Sequence, residues 1–223
     1  KNTLRSNKVL QHIIGTSSEK DKVIFEEKQT EFNVILQSSS FDRSLFIISY
    51  GHSATNYYTM DWNSLEYTIK PFLPSLNQHF YRVYKHEIGY FILSNFNSPN
   101  KQILFSPTLP TAIEHCKTFL AHDSLQFIEK IDIRKNAVLV QKRTQGGKLN
   151  ITIHNLDTDH CFEVQFDEEN YDINLFYSDN YNADYFYYSY NSLTTPKSTF
   201  KYSIETNKQN LIYREKLSDS TFT

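Results

Sequence analysis

A serine between a histidine and an alanine is the first candidate for nucleophilic chemistry in this sequence. Residues 51–55 read Gly-His-Ser-Ala-Thr and begin like a Gly-x-Ser-x-Gly elbow, which needs glycine on both sides of the serine because the backbone is strained there. Position 55 is threonine, and the segment lies between two predicted antiparallel strands. The sequence therefore predicts a hairpin turn around Ser53, and no nucleophile, base and orienting residue can be assembled into a catalytic set.

The eight histidines raise the question of a metal site. Three pairs are separated by six or seven residues, whereas metal-binding pairs lie two apart on a strand and three or four apart on a helix. We therefore predict surface or structural histidines and no bound metal. The three pairs are His79 and His86, His115 and His122, and His154 and His160.

Three polar segments contain residue types that are found in known binding or catalytic sites, but not in the order that those sites require. Asn155–His160 lacks the longer Asp/Asn-Gly-Glu pattern of a calcium loop and is predicted to form a turn. Gln145–Lys148 lacks the first glycine and the Ser or Thr of a phosphate loop, and its two glycines between strands predict a hairpin turn. Asp167–Glu169 is predicted to be a solvated acidic loop rather than a catalytic carboxylate pair. We therefore predict no catalytic, cofactor-binding or metal-binding residue, and no cofactor.

Composition excludes several classes of partner. The 23 basic and 25 acidic residues give a net charge of −2, so no basic field favours nucleic acid. No apolar run reaches the length of about 18 residues that a membrane helix needs. Cys116 and Cys161 are too few for a disulfide framework, and we expect free thiols in a reducing, cytoplasmic compartment.

The secondary-structure elements that carry these residues are indicated by a repeat of short apolar runs rich in aromatic residues. Four passes of four runs, separated by Asn, Ser, Pro and Asp, start at residues 32, 80, 126 and 172. Four strands repeating every 45 to 50 residues, roughly, are typical of a β-propeller, although a β-sandwich or barrel with similar strand lengths is the alternative. We predict an all-β fold: a partial β-propeller of about four four-stranded antiparallel blades, with strands such as Leu45–Tyr50 and Gln102–Ser106.

The same pattern gives approximate boundaries. One short helix within Leu109–Leu120 is an alternative to the strand predicted over Cys116–Ala121. Residues 1–31 are predicted to be the remnant of a preceding blade, and residues 215–223 to be a tail. The four blades span about 32–78, 79–124, 125–170 and 171–214.

The last predicted blade resembles a known family. Tyr187–Arg214 reads YYSYNSLTTPKSTFKYSIETNKQNLIYR and resembles the closing propeller blade of protease II (oligopeptidase B)-type peptidases, in the prolyl oligopeptidase family. There an aromatic strand is followed by Tyr-x-Ser-Leu-Thr-Thr-Pro, which corresponds here to Tyr190 and Ser192–Pro196. Further similar stretches are VIFEEK at 23–28, HEIGYFILSN at 86–95 and VLVQKRTQGG at 138–147, so the likeness covers about 8–214.

The resemblance implies that substrate entry and catalysis are carried out by two different domains. In that family a seven-bladed propeller restricts entry to short peptides, and a following α/β-hydrolase domain carries the Ser-Asp-His triad. It implies that the intact protein is a cytoplasmic serine oligopeptidase that cleaves short peptides after Arg or Lys. The catalytic hydrolase domain is absent from this chain, which is therefore expected to have no enzyme activity. The rival interpretations are a stand-alone protein-interaction propeller, a decayed pseudoenzyme, or a sugar- or nucleic-acid-binding β-domain, although no strand face combines aromatic and basic residues as such binding requires.

An arc of four blades is expected to leave its two terminal faces uncovered. The N-terminal remnant, with Ile13, Ile14, Ile24 and Phe25, can cap one of them. Because large apolar patches are seldom left exposed, we predict a homodimer through an open blade face. The predicted open residues are Val34, Leu36, Phe46 and Ile48 on the first blade, and Leu175, Tyr177, Phe186 and Tyr188 on the last.

Overall fold

The computed structural model describes residues 5–61 and 68–216. Residues 1–4 of the predicted N-terminal remnant, 62–67 of the first predicted blade and most of the predicted tail therefore lie outside the described residues. Within these ranges the strands form one two-stranded and four four-stranded antiparallel sheets. In each four-stranded sheet, strands adjacent in sequence are also adjacent in space, which confirms the predicted all-β fold. No helix among these residues has the length and hydropathy to cross a membrane.

The small sheet contains β1 (Lys8–Gln11) and β2 (Lys22–Glu26). The first four-stranded sheet contains β3 (Asn33–Ser38), β4 (Leu45–Tyr50), β5 (Thr55–Asp61) and β6 (Thr68–Pro71). The second contains β7 (Tyr81–His86), β8 (Gly89–Ser94), β9 (Gln102–Ser106) and β10 (Lys117–Leu120). The third contains β11 (Gln126–Arg134), β12 (Ala137–Thr144), β13 (Leu149–Asn155) and β14 (Cys161–Glu163). The fourth contains β15 (Tyr171–Leu175), β16 (Tyr185–Ser192), β17 (Ser198–Ser203) and β18 (Lys208–Arg214).

Alternation of side chains explains why these segments form strands. On β7, Tyr81 and Val83 are buried while Arg82 is exposed, as the two-residue period of a strand requires. On β12, by contrast, five successive residues from Ala137 to Gln141 are buried, so both faces of this strand are covered. A run of apolar residues without alternation is what such a doubly covered strand needs.

The chain divides into two compact units, the first formed by residues 1–98 with 103–120. Its larger core lies between the first and second four-stranded sheets, where Phe46 and Ile48 pack against Val83 and Ile92. Its smaller core lies on the other face of the first sheet, where the two-stranded N-terminal sheet packs. The residues of this smaller core are Val9, Val34 and Ile47, with Ile24, Phe25, Tyr58 and Ile69 partly buried against them.

The second unit, residues 99–102 with 121–223, has its core between the third and fourth sheets. Aliphatic side chains from the third sheet meet aromatic side chains from the fourth, and Phe186 and Tyr202 stack with ring centroids 5.1 Å apart. Burial of such large rings supplies the main favourable free energy of this packing. The buried members of this core are Ala137, Leu139, Leu149, Ile151, Ile153, Val164, Ile173, Leu175, Phe186, Tyr188, Tyr190 and Tyr202.

The prediction of which residues lie on the open blade faces was largely wrong. Phe46 and Ile48 lie between two sheets, and Phe186 and Tyr188 lie in the core of the second unit. Alternation tells which residues share a face but not which face a neighbouring sheet covers, so these residues were assigned to the wrong side. Of the eight predicted open residues, Leu36 at 50% and Tyr177 at 53% are the two that are exposed, whereas Val34 and Leu175 are also buried.

Two smaller expectations are also corrected. Ile24 and Phe25 of the N-terminal sheet do pack on the first sheet, but Ile13 and Ile14 are exposed. The helix considered within 109–120 is a single 3-10 turn, Ile113–His115, because Pro107 and Pro110 precede it and β10 begins soon after. A second 3-10 turn spans Ser18–Lys20, which is capped by Ser17.

Candidate functional site

The serine that resembled a nucleophile lies in a hairpin turn, as predicted. The turn joins β4 to β5 and is closed by a 3.0 Å hydrogen bond from the Gly51 amide to the Ala54 carbonyl. The Ser53 hydroxyl donates to the carboxylate of Glu31 at 3.2 Å, so it faces an acceptor and not the imidazole that would activate it.

A serine and a histidine that sequence spacing did not connect do lie side by side. His79 Nε2 is 2.9 Å from Ser94 Oγ, because the hairpin of β7 and β8 brings together residues that are fifteen apart. The Ser94 hydroxyl also accepts a hydrogen bond from the amide of Phe96 at 3.0 Å. Burial lowers the pKa of His79 to about 4, so its imidazole is neutral at pH 7.

This Ser-His contact lacks two features that catalysis needs. Ser94 is 0% exposed, so a substrate cannot reach its hydroxyl in this structure. His79 Nδ1 has no hydrogen-bond partner among the described residues, so no carboxylate orients the ring as the third member of a triad would. The ring instead stacks on Tyr81 with centroids 4.6 Å apart, which indicates a structural role.

Three further histidines are held by local contacts. His86 Nδ1 accepts from the Ile88 amide at 3.2 Å, and His115 Nδ1 lies 3.0 Å from the Thr111 hydroxyl. His154 Nε2 lies 3.7 Å from Cys161 Sγ on the neighbouring strand, and burial lowers the pKa of His154 to about 4. No group of three or more His, Cys, Asp or Glu side chains that could hold a metal is found in residues 5–61 and 68–216.

Two polar segments form turns, in agreement with their predicted character. In Asn155–His160, the Asn155 side-chain oxygen accepts from the amides of Asp157 and Thr158, both at 2.9 Å. In Gln145–Lys148, Gly147 has a φ of +83° and its amide donates to the Thr144 carbonyl at 2.9 Å. These turns use their polar atoms to close the backbone, and neither has the geometry of a calcium or phosphate loop.

The acidic segment Asp167–Glu169 differs from the prediction, because Glu168 is not merely solvated. Its carboxylate accepts hydrogen bonds from the hydroxyls of Tyr190 at 3.0 Å, Thr194 at 2.6 Å and Thr195 at 2.8 Å. Glu168 precedes the fourth sheet, and the two threonines lie in its β16–β17 turn. We call this arrangement, Glu168 with Tyr190, Thr194 and Thr195, the Glu168 clamp.

The clamp has a marked electrostatic effect on its own members. Hydrogen bonds from Ser192, Thr194 and Thr195 lower the pKa of Glu168 to about 2, because they stabilise the carboxylate. Burial and the Glu168 carboxylate raise the pKa of Tyr190 to about 12. A single charged acceptor bound by neutral hydroxyls holds a turn in place, whereas acid-base catalysis by carboxylates needs an acid poised to give up a proton.

The second unit also contains a buried ion pair that the sequence did not reveal. Arg134 Nη2 lies 2.7 Å from Asp132 Oδ2 on the same strand, with Arg134 1% and Asp132 7% exposed in their side chains. Arg134 Nη1 donates to the Ser178 carbonyl at 3.3 Å, but Arg134 Nε has no hydrogen-bond partner among the described residues. Burial raises the pKa of Asp132 to about 6, partly offset by the Arg134 charge.

Beside this ion pair lies a cavity of about 590 Å³, within the second unit. It is bounded by the turns β11–β12 and β13–β14 of the third sheet, and by the start of β16 and the β17–β18 turn of the fourth. Its charged and polar lining includes Arg134, Lys135, Asn136, Asn155, Thr158, His160, Asn182, Asp184, Glu205 and Asn207.

Comparison with known families decides the identity of the fold. The model for the N-terminal β-propeller domain of prolyl oligopeptidase matches residues 1–215 of the 223. This chain belongs to that family. Its four-stranded meanders are therefore propeller blades, as predicted.

Relatives of this propeller domain include two curated peptidases. It is 21% identical to protease 2 of Moraxella lacunata over 198 residues, covering 89% of this chain and 28% of that protein. It is 24% identical to dipeptidyl aminopeptidase BI of Pseudoxanthomonas mexicana over 210 residues, covering 93% of this chain and 28% of that protein. The propeller segment thus spans less than a third of the length of either relative.

Solved structures show the same fold. Oligopeptidase B from Leishmania major matches with a TM-score of 0.86 at 24% identity, over 96% of this propeller segment and 31% of that chain. Oligopeptidase B from Trypanosoma brucei matches with a TM-score of 0.85 at 20% identity, over 95% of this segment and 31% of that chain. The propeller segment thus spans about a third of each of these oligopeptidase B chains.

Proposed function

We propose that this chain is the non-catalytic, substrate-gating part of a serine oligopeptidase that hydrolyses short peptides after Arg or Lys. The observation that carries the proposal is the family match over residues 1–215, to a propeller domain and not to a hydrolase domain. The side-chain contacts are consistent with it, because Ser94 beside His79 is inaccessible and Ser53 faces a carboxylate. The partners of the chain are then the hydrolase domain of the intact protein and the short peptides that it admits, and we place the protein in the cytoplasm.

Rigid packing supports a gating role. A gate that selects substrates by size must keep its shape, and the aromatic core of the second unit joins two sheets through closely packed rings. The Glu168 clamp adds three hydrogen bonds to one turn, which restricts that turn further. These features supply a stiff scaffold and no reacting group.

The proposed gate is tested in the intact protein, with and without this segment. The intact protein should cleave a short Arg-containing peptide and leave the same bond uncut inside a folded protein. A variant lacking the segment should lose that size selection while keeping hydrolysis of the short peptide. Unchanged size selection without the segment, or no preference for Arg and Lys, would overturn the proposal.

An interaction propeller or decayed pseudoenzyme is the second candidate, and one observation favours it. The outer strand β18 is exposed along its whole length, with Leu211 at 47%, Ile212 at 55% and Tyr213 at 60%. Exposed apolar side chains next to one another are typical of a contact surface. We propose that a homodimer forms through this part of the fourth sheet, in place of the residues predicted from the sequence.

A further inference from the structure

We propose that a small cavity on the fourth sheet binds a betaine, a compact molecule with a quaternary ammonium group at one end and a carboxylate at the other. This binding is separate from gating and from the peptidase activity. The cavity, of about 120 Å³, is bounded by the loop that precedes β15, by β16 and β17, and by the outer strand β18. It is slightly smaller than a cavity of about 150 Å³ that holds benzene, so only a ligand of about that size fits.

Aromatic rings form one wall of the cavity. Phe166 and Tyr190 are nearly parallel, with ring centroids 5.8 Å apart. Tyr188 and Phe200 form a second nearly parallel pair, with centroids 5.4 Å apart. Because these rings contact one another, a ligand lies against the wall and not inside it. Ring faces attract a quaternary ammonium group, which has no N–H to donate and is recognised in proteins by aromatic side chains.

The hydroxyls of the two tyrosines are engaged away from the ligand. Tyr190 donates to the Glu168 carboxylate at 3.0 Å, and Tyr188 donates to the side-chain oxygen of Gln209. Burial raises the pKa of both tyrosines, so both rings are neutral at pH 7. The wall therefore offers the ligand aromatic surface and no O–H donor.

Two carboxylates lie beside the aromatic wall. Asp167 and Glu168 both line the cavity, and neither forms an ion pair within residues 5–61 and 68–216. Glu168 is bound by neutral hydroxyls, which lower its pKa to about 2, so its negative charge is retained at pH 7. A quaternary ammonium group placed against the rings and near these carboxylates is attracted by both.

The remaining charge at the cavity is positive. Arg214 lines it, and its Nε donates to the Ser198 hydroxyl at 3.0 Å, which restrains the guanidinium group. No carboxylate of the described residues forms an ion pair with Arg214. The guanidinium fork is the side-chain group that best matches the two oxygens of a carboxylate. A simple cation would be repelled by Arg214, and a simple anion by the two acidic residues, whereas a betaine complements both.

NMR titration of the full chain with three probes of similar size tests the proposal. Glycine betaine carries both charges. The anion tert-butylacetate has the same shape with carbon in place of the ammonium nitrogen, and choline has a hydroxyl group in place of the carboxylate. We expect betaine to bind with a dissociation constant of about 1 mM or below, and each of the other probes to bind about tenfold or more weakly, because each lacks one charged contact.

Two variants assign the ends of the ligand. Phe166→Leu keeps an apolar side chain but removes a ring, so it should weaken binding of betaine and change that of tert-butylacetate little. Arg214→Gln should weaken binding of betaine and of tert-butylacetate, and strengthen that of choline because a like charge is removed.

Phe127→Leu and Arg43→Gln make the same changes at exposed positions outside the cavity and should have no effect. Thermal melting checks that each variant is folded. Arg214 is exposed, so its substitution tests the cavity even if Phe166→Leu perturbs the core.

Three results would overturn the proposal. The first is no saturable shift with betaine up to about 10 mM, well above the expected dissociation constant. The second is tert-butylacetate binding as tightly as betaine, which would show an anion site that does not recognise the ammonium group. The third is unchanged binding of betaine in the folded Arg214→Gln variant, which would place the ligand elsewhere on the chain.

Discussion

The hydroxyl of Tyr190 donates to the carboxylate of Glu168 across 3.0 Å, joining the fourth sheet to the loop that precedes it. Two threonine hydroxyls from the β16–β17 turn reach the same carboxylate. The SLTTP segment that gave the sequence its family resemblance is thus held by a residue from a preceding loop.

Removing this carboxylate should loosen the β16–β17 turn. We expect Glu168→Ala to speed hydrogen exchange at the amides of Thr194 and Thr195, which donate to the Ser192 hydroxyl, because the turn loses its outside acceptor. Glu169→Ala, in the exposed neighbour, is the matched control and should leave exchange unchanged. Equal exchange in both variants would show that the β16–β17 turn stays ordered without the Glu168 carboxylate.

The same clamp predicts a dependence on pH. Because the pKa of Glu168 is lowered to about 2, its contribution to stability is present above the ordinary value of 4.5 and is lost as the pH falls toward 2. Exchange at the two threonine amides should therefore accelerate in this range in the wild type, after correction for intrinsic exchange rates, and not in Glu168→Ala. Identical pH profiles for the two proteins would contradict the assignment.

The buried histidines should destabilise the protein in mild acid. The pKa values of His79 and His154 are lowered to about 4, so these residues favour the folded state above pH 6.5 and lose that contribution as the pH falls through 4. Replacing His79 by Gln should flatten the fall in unfolding free energy by up to about 2 kcal/mol between pH 7 and 4. The exposed His160→Gln is the control, and chemical denaturation at several pH values measures both. An unchanged slope in His79→Gln would contradict the burial argument.

The ion pair of Asp132 and Arg134 gives a prediction about paired substitutions. Arg134→Met leaves a buried carboxylate without its partner and should cost about 3–5 kcal/mol of unfolding free energy. The double variant Asp132→Leu, Arg134→Met removes both charges and should be more stable than the single variant. Denaturant titration of the wild type, of Asp132→Leu and Arg134→Met alone, and of the double variant gives the coupling. Strictly additive effects would show that the two side chains do not interact.

Glycine is required at one hairpin position. Gly89 has a φ of +145°, and a Cβ there would lie 2.2 Å from the Ser106 carbonyl oxygen. Gly89→Ala should therefore cost at least about 2 kcal/mol, because it combines backbone strain with a clash against backbone. Gly146→Ala, where the nearest atom is a side-chain oxygen at 3.9 Å, should change thermal stability little. Comparable melting temperatures for the two variants would contradict the close approach of the Gly89 backbone to the Ser106 carbonyl at the start of β8.

Sequence periodicity predicted the strands well and their environments poorly. Leu45–Tyr50 and Gln102–Ser106 form strands at the predicted bounds, because short apolar runs between turn residues suit a sheet. Phe46 and Phe186 were placed on open faces, because the pattern along one strand carries no information about which sheet lies opposite. Cys116 was placed in a strand and instead ends a 3-10 turn, with β10 starting one residue later.

The contacts within the two side-chain clusters could not be predicted from the sequence for a different reason. His79 and Ser94 meet through the register of two strands, and Glu168 meets the β16–β17 turn across more than twenty residues. Neither separation matches a period of a helix or a strand. The alternating charge of Asp132 and Arg134 on β11 was the one local signal, since residues two apart on a strand share a face.

The non-catalytic role is tested by hydrolysis of fluorogenic peptides ending in Arg or Lys by the purified chain. We expect no turnover above the buffer rate, and no change in Ser53→Ala or Ser94→Ala, because neither serine has an accessible, activated hydroxyl. Saturable turnover that copurifies with the chain and disappears in either serine variant would contradict it.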